Sequence, residues 1–216
     1  MSIDVNIADI RDGYEREGLT KKDMQRDPVA QFNRWMDEAV EAKLSQPNAL
    51  TLATASKEGR PSARIVLLKE VTVDGFVFFT NYEGRKGQEL KENPQAAMVF
   101  LWPSLSRQIR VNGIVSRVPE AVSDAYYATR PKGSRLGAWA SPQSQVVENR
   151  QYLEKALQEV EQKYAEVDPP RPPHWGGYCL KPEIIEFWQG RPNRLHDRLR
   201  YSAGADETWI LERLAP

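Results

Sequence analysis

The chain has 216 residues with 30 basic and 30 acidic side chains, two histidines and one cysteine. Without net charge it has no broad positive field to hold a nucleic-acid backbone, so no nucleic-acid partner is expected and any anion site must be local. No apolar run approaches the roughly twenty residues of a membrane span, the N-terminus lacks a basic-then-apolar signal, and Cys179 alone supports neither an internal disulfide nor a cysteine metal site, so a cytoplasmic protein without membrane or metal is expected.

Residues 1–26 are charged and weakly patterned and read as an arm. Asp27-Pro28 then caps a helix in which Phe32, Trp35, Met36, Ala39 and Val40 recur at helical spacing, a core stripe, up to Gln46-Pro47-Asn48. From there the period changes to two. Ala49 to Ala55, Ser62 to Val71 and Phe76 to Thr80, joined by turns at Lys57-Glu58-Gly59-Arg60 and Asp74-Gly75, predict an antiparallel meander. A short polar helix opens near Gly84-Arg85-Lys86 and stops before Pro94. Gln95 to Trp102 and Gln108 to Val118 predict a further pair of strands, and in the second Gln108, Arg110 and Asn112 alternate with Ile109 and Val111.

A helix over Pro119 to Thr129 breaks at Arg130-Pro131-Lys132-Gly133-Ser134, where Ser134 is placed to cap a second short helix through Trp139. Such a break suits either a phosphate at free helix amides or a routine joint between helices. Gln145 to Val167 predicts a long charged helix, and Asp168 to Pro173 a stiff linker. Trp175 to Leu180, Ile184 to Trp188, Arg194 to Tyr201 and Thr208 to Leu214 predict four more strands. About eight strands in hairpin order with a few helices favour one mainly β domain over 1–216, an antiparallel barrel with flanking helices.

The densest chemistry lies in Glu186-Phe187-Trp188-Gln189-Gly190-Arg191-Pro192-Asn193-Arg194-Leu195-His196-Asp197-Arg198. Read as a strand, it projects Arg194, His196 and Arg198 from one face and Leu195 and Leu199 from the other. Two guanidiniums beside an imidazole, next to a flat indole, suit a planar anionic ligand; an exposed basic edge strand would look similar. No Gly-x-Gly-x-x-Gly, phosphate loop or nucleophile elbow is present. Arg64, Lys69, Arg85, Lys86, Arg130, Arg194 and Arg198 remain as cations able to hold two phosphates.

An ordered set of motifs resembles the pyridoxine/pyridoxamine 5'-phosphate oxidase family: Arg64-Ile65-Val66-Leu67-Leu68-Lys69, Phe79-Thr80-Asn81 with Arg85-Lys86, Arg107-Gln108, Arg130-Pro131 with Ser134, Gly137-Ala138-Trp139, Gln143-Ser144, Phe187-Trp188-Gln189-Gly190, Arg194-Leu195-His196-Asp197-Arg198 and the ending Arg213-Leu214-Ala215-Pro216. The resemblance implies an FMN-binding split β-barrel of Greek-key type, working as a homodimer with the flavin at the subunit interface. It implies an oxidase that turns pyridoxamine 5'-phosphate or pyridoxine 5'-phosphate into pyridoxal 5'-phosphate, with oxygen reduced to hydrogen peroxide. The FMN environment implied comprises Arg64 with the Ile65, Val66, Leu67, Leu68 and Lys69 run, Phe79, Thr80, Arg85, Lys86, Gln108, Gln143, Ser144, Trp188 and Arg198. Lys69, Tyr126, Arg130 and Ser134 are implied for the substrate phosphate and Arg194 and His196 for the pyridine ring and catalysis. Arg11 and Tyr14 match a segment that closes over the substrate, so the arm becomes a lid.

Two features sit apart from that pattern. Arg64 and Lys69 are five apart, so on one regular strand they face opposite ways. Gln46 stands where many relatives are expected to carry an acid. The competing readings are a related split-barrel flavoprotein with another substrate and, from a different class, a non-catalytic binder of pyridoxal phosphate or flavin.

Overall fold

Helix α1 (Pro28–Glu41) starts where the Asp27 carboxylate accepts hydrogen bonds from the amides of Val29 and Ala30, at 3.0 and 3.3 Å, with proline at the first helical position. Its buried stripe contains Gln31, Phe32, Trp35 and Ala39. Val40, expected in that stripe, is 57 % exposed, because it lies one helical step round from Ala39. The computed structural model describes Gly13, residues 18–206 and residues 208–216.

Nine strands and five α-helices follow the predicted order among the described residues. The strands are β1 (Ala49–Ala55), β2 (Pro61–Leu67), β3 (Glu70–Thr72), β4 (Gly75–Asn81), β5 (Gln95–Trp102), β6 (Arg107–Arg117), β7 (Trp175–Gln189), β8 (Asp197–Ala203) and β9 (Trp209–Leu214). Helices α2 (Arg85–Glu92), α3 (Glu120–Thr129), α4 (Lys132–Ala140) and α5 (Arg150–Lys163) intervene. The sheet runs β2-β1-β5-β6-β7-β4-β3, and β8 pairs with both β7 and β9. The β1–β2, β1–β5, β3–β4, β4–β7 and β8–β9 ladders are antiparallel.

Several boundaries differ from the sequence reading for identifiable reasons. The strand predicted over Ser62 to Val71 ends at Leu67. The Leu68 amide still bonds to the Asn48 carbonyl, whereas the Lys69 amide bonds to Val77, both at 2.9 Å. The chain therefore changes partner between those residues, and Arg64 and Lys69 belong to different ladders. Ser134 does not cap α4, which starts two residues earlier with Pro131 at the N-cap and no side-chain cap bond. Helix α5 starts later than expected, where Asn149 accepts from the Tyr152 amide at 2.9 Å. The two strands expected on either side of Pro182 are one, β7; Gly113 makes room, since a β-carbon there would collide with the Lys181 carbonyl.

The largest departure is at Arg194. Pro192–Arg194 form a 3-10 turn, Asn193 and Arg194 have φ of 57° and 60°, and β8 starts only at Asp197. The left-handed pair ends any strand alternation through Arg194, His196 and Arg198, and Leu195 is 70 % exposed while Leu199 is fully buried.

The chain groups into two compact units: the described residues up to Pro47 with Leu101–Arg110 and Ile185–Pro216, and Asn48–Phe100 with Val111–Ile184. In the first, Phe187 packs edge-on against both Trp35 and Tyr201, with ring centroids 5.1 and 5.8 Å apart. In the second, Leu50, Leu52, Phe76, Phe78, Met98, Phe100 and Leu180 are all at most 1 % exposed. Each such side chain contributes roughly 1.5–3 kcal/mol relative to solvent exposure.

Candidate active site

In the second unit, strand β2 points Ser62 and Arg64 to its less exposed face. The Arg64 guanidinium donates to the Leu52 carbonyl at 3.3 Å and to the hydroxyls of Thr54 and Ser62, both at 2.5 Å. It also reaches the Glu89 carboxylate of α2 at 3.2 Å. Glu89 is 6 % exposed and takes further hydrogen bonds from Thr54 (2.5 Å), Ser62 (2.6 Å) and Arg85 (2.9 Å). Burial alone would raise its pKa, but the bonds from Ser62, Thr54, Arg85 and Arg64 prevail and hold it at about 2. Arg64 and Arg85 are thereby brought to one carboxylate.

One turn along α2, Lys86 Nζ donates to the Gln143 side-chain oxygen at 2.7 Å and the Thr80 hydroxyl at 3.1 Å, and Thr80 also bonds to Gln143 at 3.3 Å. Burial, and then the charge of Arg64, lower the Lys86 pKa. Gly84, the α2 N-cap, admits Gln143 because a β-carbon there would press into its carboxamide. Ser144 follows with a left-handed φ of 69°, an uncommon backbone state for serine. Of the Ile65, Val66, Leu67 and Leu68 run, Ile65 is 66 % and Leu67 37 % exposed, whereas Leu68 is buried.

A second set of cations in the same unit is held by rings. Phe79 stacks on Tyr126 at 4.0 Å and on Trp175 at 5.6 Å. Lys69 lies over Tyr126 at 5.8 Å, and the Arg130 guanidinium lies 4.4 Å from the Trp175 ring. Arg130 Nη1 is buried without a hydrogen-bond partner, and neither Arg130 nor Lys69 has a carboxylate partner among the described residues. Burial lowers Arg130 from the usual guanidinium value, against the pull of Tyr126 and Tyr127, yet it stays charged at any working pH. Ser134, exposed in the first turn of α4, shares the segment with Arg130 but not this stack.

In the first unit, Gln108 and Trp188 line one open cavity of about 740 Å³ with Leu101, Ser104, Ser106 and Arg107. Arg107 is fixed by the Glu38 carboxylate at 2.5 Å, the Gln189 side chain at 3.0 Å and the face of Trp35 at 4.3 Å. Trp188 and His196 meet with ring centroids 4.7 Å apart. His196 Nδ1 accepts the Arg191 amide at 3.1 Å, which leaves the ring proton on Nε2; burial and then the Arg194 charge lower its pKa. Arg194 itself is exposed. Arg198 is clamped by Glu186 through two bonds of 2.7 and 3.0 Å, and this pairing raises its pKa. Arg11 and Tyr14 lie outside the described residues.

Comparison with known proteins decides what these parts belong to. Residues 36–164 match the family model described as pyridoxamine 5'-phosphate oxidase, and residues 175–216 match the pyridoxine 5'-phosphate oxidase C-terminal dimerisation region. The chain belongs to the pyridoxamine 5'-phosphate oxidase family. A pyridoxine/pyridoxamine 5'-phosphate oxidase of Cupriavidus metallidurans is 58 % identical over 97 % of this chain and 99 % of its own length. One from a Cyanothece species is 55 % identical over 98 % of this chain and 99 % of its own. Among solved structures, PhzG from Burkholderia lata in complex with tetrahydrophenazine-1-carboxylic acid superposes with a TM-score of 0.85 at 32 % identity, covering 90 % of this chain and 95 % of that one. A pyridoxamine 5'-phosphate oxidase-related, FMN-binding protein from Nostoc punctiforme shares the fold, with a TM-score of 0.71 at 18 % identity over 89 % of this chain and all of that one. The architecture is the mainly β, antiparallel split barrel of this family.

Against that family background, three residues that support the candidate site escape a sequence reading. Glu89 looks like one more acid on a polar helix; its burial depends on Thr54 and Ser62, more than 25 residues away. Trp175 opens β7 and reads as core, though it also carries Arg130. Glu186 alternates as an ordinary strand residue, yet it is 6 % exposed and neutralises Arg198. No pattern in the sequence marks Glu89 or Glu186, because burial beside an arginine is set by packing: Glu89 meets Arg64 from β2 and Arg85 from its own helix, and Glu186 on β7 meets Arg198 on β8.

Proposed function

We propose that this chain is an FMN-dependent oxidase that converts pyridoxamine 5'-phosphate or pyridoxine 5'-phosphate to pyridoxal 5'-phosphate, reducing oxygen to hydrogen peroxide, as a cytoplasmic homodimer. The observation that carries the reading is the presence in one unit of two cation sets suited to phosphate. One gathers Arg64, Arg85 and Lys86; the other gathers Lys69 and Arg130 on the rings of Tyr126 and Trp175. A flavin mononucleotide and a phosphorylated substrate require two such places. The unpartnered, buried Nη1 of Arg130 is a donor without an acceptor, which fits a phosphate oxygen.

In this reading Arg64, Arg85 and Lys86 hold the FMN phosphate, and Thr80 and Gln143 keep the Lys86 ammonium aimed. Gln108, Gln143, Ser144, Trp188 and Arg198 serve the rest of the flavin, with the β2 run from Ile65 to Leu68 beside it. FMN bound there would supply the two-electron redox chemistry that no side chain offers. Lys69, Tyr126, Arg130 and Ser134 anchor the substrate by its phosphate, so that binding energy orients the reacting carbon. Arg194 and His196 cover the pyridine ring, His196 with its proton on Nε2, and Arg11 and Tyr14 close the site against water. The amine substrate leaves an imine that water hydrolyses; the alcohol gives the aldehyde directly.

The match to a C-terminal dimerisation region supports the homodimer. The reading takes 1–216 as a single FMN-binding domain, with 1–26 as an N-terminal arm that serves as its lid. Purified protein should be yellow, should bleach under nitrogen when pyridoxamine 5'-phosphate is added, and should regain colour in air with release of peroxide. A flavin-free protein would point to a pyridoxal phosphate binder. A yellow protein that no B6 phosphate bleaches would point to a family member with another substrate.

A further inference from the structure

We infer that Glu89 is a positioning residue for the cofactor phosphate: its buried carboxylate bridges Arg64 and Arg85 and trims the charge of the cradle to what a phosphate dianion balances. The inference rests on the cofactor reading above and deepens it. A carboxylate among cations that must bind an anion looks misplaced, because it repels the ligand directly. Its geometry shows what it does instead. One oxygen takes Arg85 Nε at 2.9 Å and the other takes Arg64 Nη2 at 3.2 Å, so two guanidiniums from different elements, β2 and α2, are fixed relative to each other. The carboxylate is itself fixed by the hydroxyls of Thr54 and Ser62.

Without that bridge, Arg64, Arg85 and Lys86 would repel one another. Arg85, whose side chain is 64 % exposed, would lose its only ion pair among the described residues and turn to solvent. The charge count agrees with the geometry. Three cations and one carboxylate, ionised throughout the physiological range because its pKa is held at about 2, leave two positive charges. A phosphate monoester carries about two negative charges above its second pKa of about 6. Preorganised donors bind better than mobile ones, because less ordering remains to be done when the anion arrives.

The test is titration of apoprotein with FMN and, separately, with riboflavin, followed by quenching of flavin fluorescence, for the wild type, Glu89→Gln, Arg85→Gln and the double variant. Glu89→Gln keeps an acceptor oxygen but removes the charge. It should weaken FMN about tenfold, the scale of a lost charge-assisted contact, and leave riboflavin unchanged. In the Arg85→Gln background, where half of the bridge is already gone, the same substitution should cost clearly less. Equal losses for FMN and riboflavin would mean general disruption and overturn the inference, as would FMN binding that is unchanged or tighter in Glu89→Gln. If the wild type holds riboflavin as tightly as FMN, the phosphate reading of this cradle fails and the inference with it. Should Glu89→Gln not fold, Glu89→Asp replaces it. That variant retains charge with a shorter reach and should fall between wild type and Arg85→Gln in its preference for FMN over riboflavin; a preference equal to the wild type's overturns the bridge.

Discussion

The two cation sets of the second unit hold their arginines by opposite means. Arg64 is tied by a carboxylate and two hydroxyls; Arg130 lies on an indole, 4.4 Å away, with one buried nitrogen unpaired. A carboxylate fixes position and cancels charge. An aromatic face fixes position more weakly, by about 0.5–2 kcal/mol, and cancels nothing. The first arrangement suits an anion that stays bound, since geometry is set in advance and the summed charge is matched. The second suits an anion that must arrive and leave in each turnover, because the cation keeps its full field and its free donor. The first unit repeats the contrast: Glu186 clamps Arg198 through two hydrogen bonds, while Arg194 sits exposed on a left-handed turn.

The largest effects should come from breaking the ring-held site. On the proposed function, Arg130→Ala would remove a charge-assisted contact to the substrate phosphate, worth roughly 1.5–3 kcal/mol. The phosphate is bound alike in ground and transition states, so KM for pyridoxine 5'-phosphate should rise on the order of 100-fold while kcat changes much less. FMN content should remain that of the wild type. Trp175→Leu keeps the cation but deletes the face beneath it, and KM should rise about tenfold; Trp175→Phe should recover most of that loss. If Trp175→Leu leaves KM unchanged in steady-state assays, the ring is core packing and the contrast between the two sites collapses.

The carboxylate-held site should show itself in acid. The folded pKa of Glu89, about 2, lies below the ordinary carboxylate value of 4.5. Its contribution to stability is therefore complete above about pH 4.5 and is lost as pH falls through about 2. Urea midpoints of wild type and Glu89→Gln should differ at pH 6 and converge toward pH 2. A constant gap across that range would show that ionisation of Glu89 carries none of the difference. The ring-held site, which has no carboxylate among the described residues, should give Trp175→Leu a gap that does not close in acid.

Most of this architecture is legible in residue order, and the exceptions share a cause. β1 and β5 match the reading because alternation and flanking Asn48, Pro94 and Pro103 bound them locally. The break at Leu68 was hidden because its cause is a change of ladder partner from Asn48 to Val77, a long-range event. The turn at Arg194 was hidden because alternation of residue types survives in the sequence even where backbone handedness destroys it. Lys69, Phe79, Tyr126 and Arg130 come together through stacking on β4 and α3 that no spacing encodes. Glu89 and Trp175 do not stand out in the sequence because each passes for a routine member of its element. Residue types thus announce which cations are present, while the partner that sets each cation's strength comes from elsewhere in the chain.

The smallest and most local effect is expected at His196, where the neighbouring cation belongs to the exposed class. His196 Nδ1 accepts the Arg191 amide, so protonation at that nitrogen breaks the bond that closes the turn. Burial first, and then Arg194, hold its pKa below 6.5. The turn's contribution is complete above pH 6.5 and is lost as pH falls through the lower folded value. Arg194→Gln removes a repelling charge and should move the His196 titration toward 6.5. Because His174 and His196 are the only two histidines, proton NMR can follow both rings, with His196→Asn assigning them. The Asn side chain offers an oxygen to the Arg191 amide without titrating. Single-turnover flavin reduction by pyridoxamine 5'-phosphate under nitrogen should therefore lose its acid-side decline in His196→Asn and shift that decline upward in Arg194→Gln, by a few-fold in rate near pH 6. Identical pH profiles for wild type and His196→Asn would mean that the imidazole only closes the turn. In that case Arg194, with neither a ring nor a carboxylate partner among the described residues, would be the cation this loop offers the substrate, since Arg191 is already paired with Asp197.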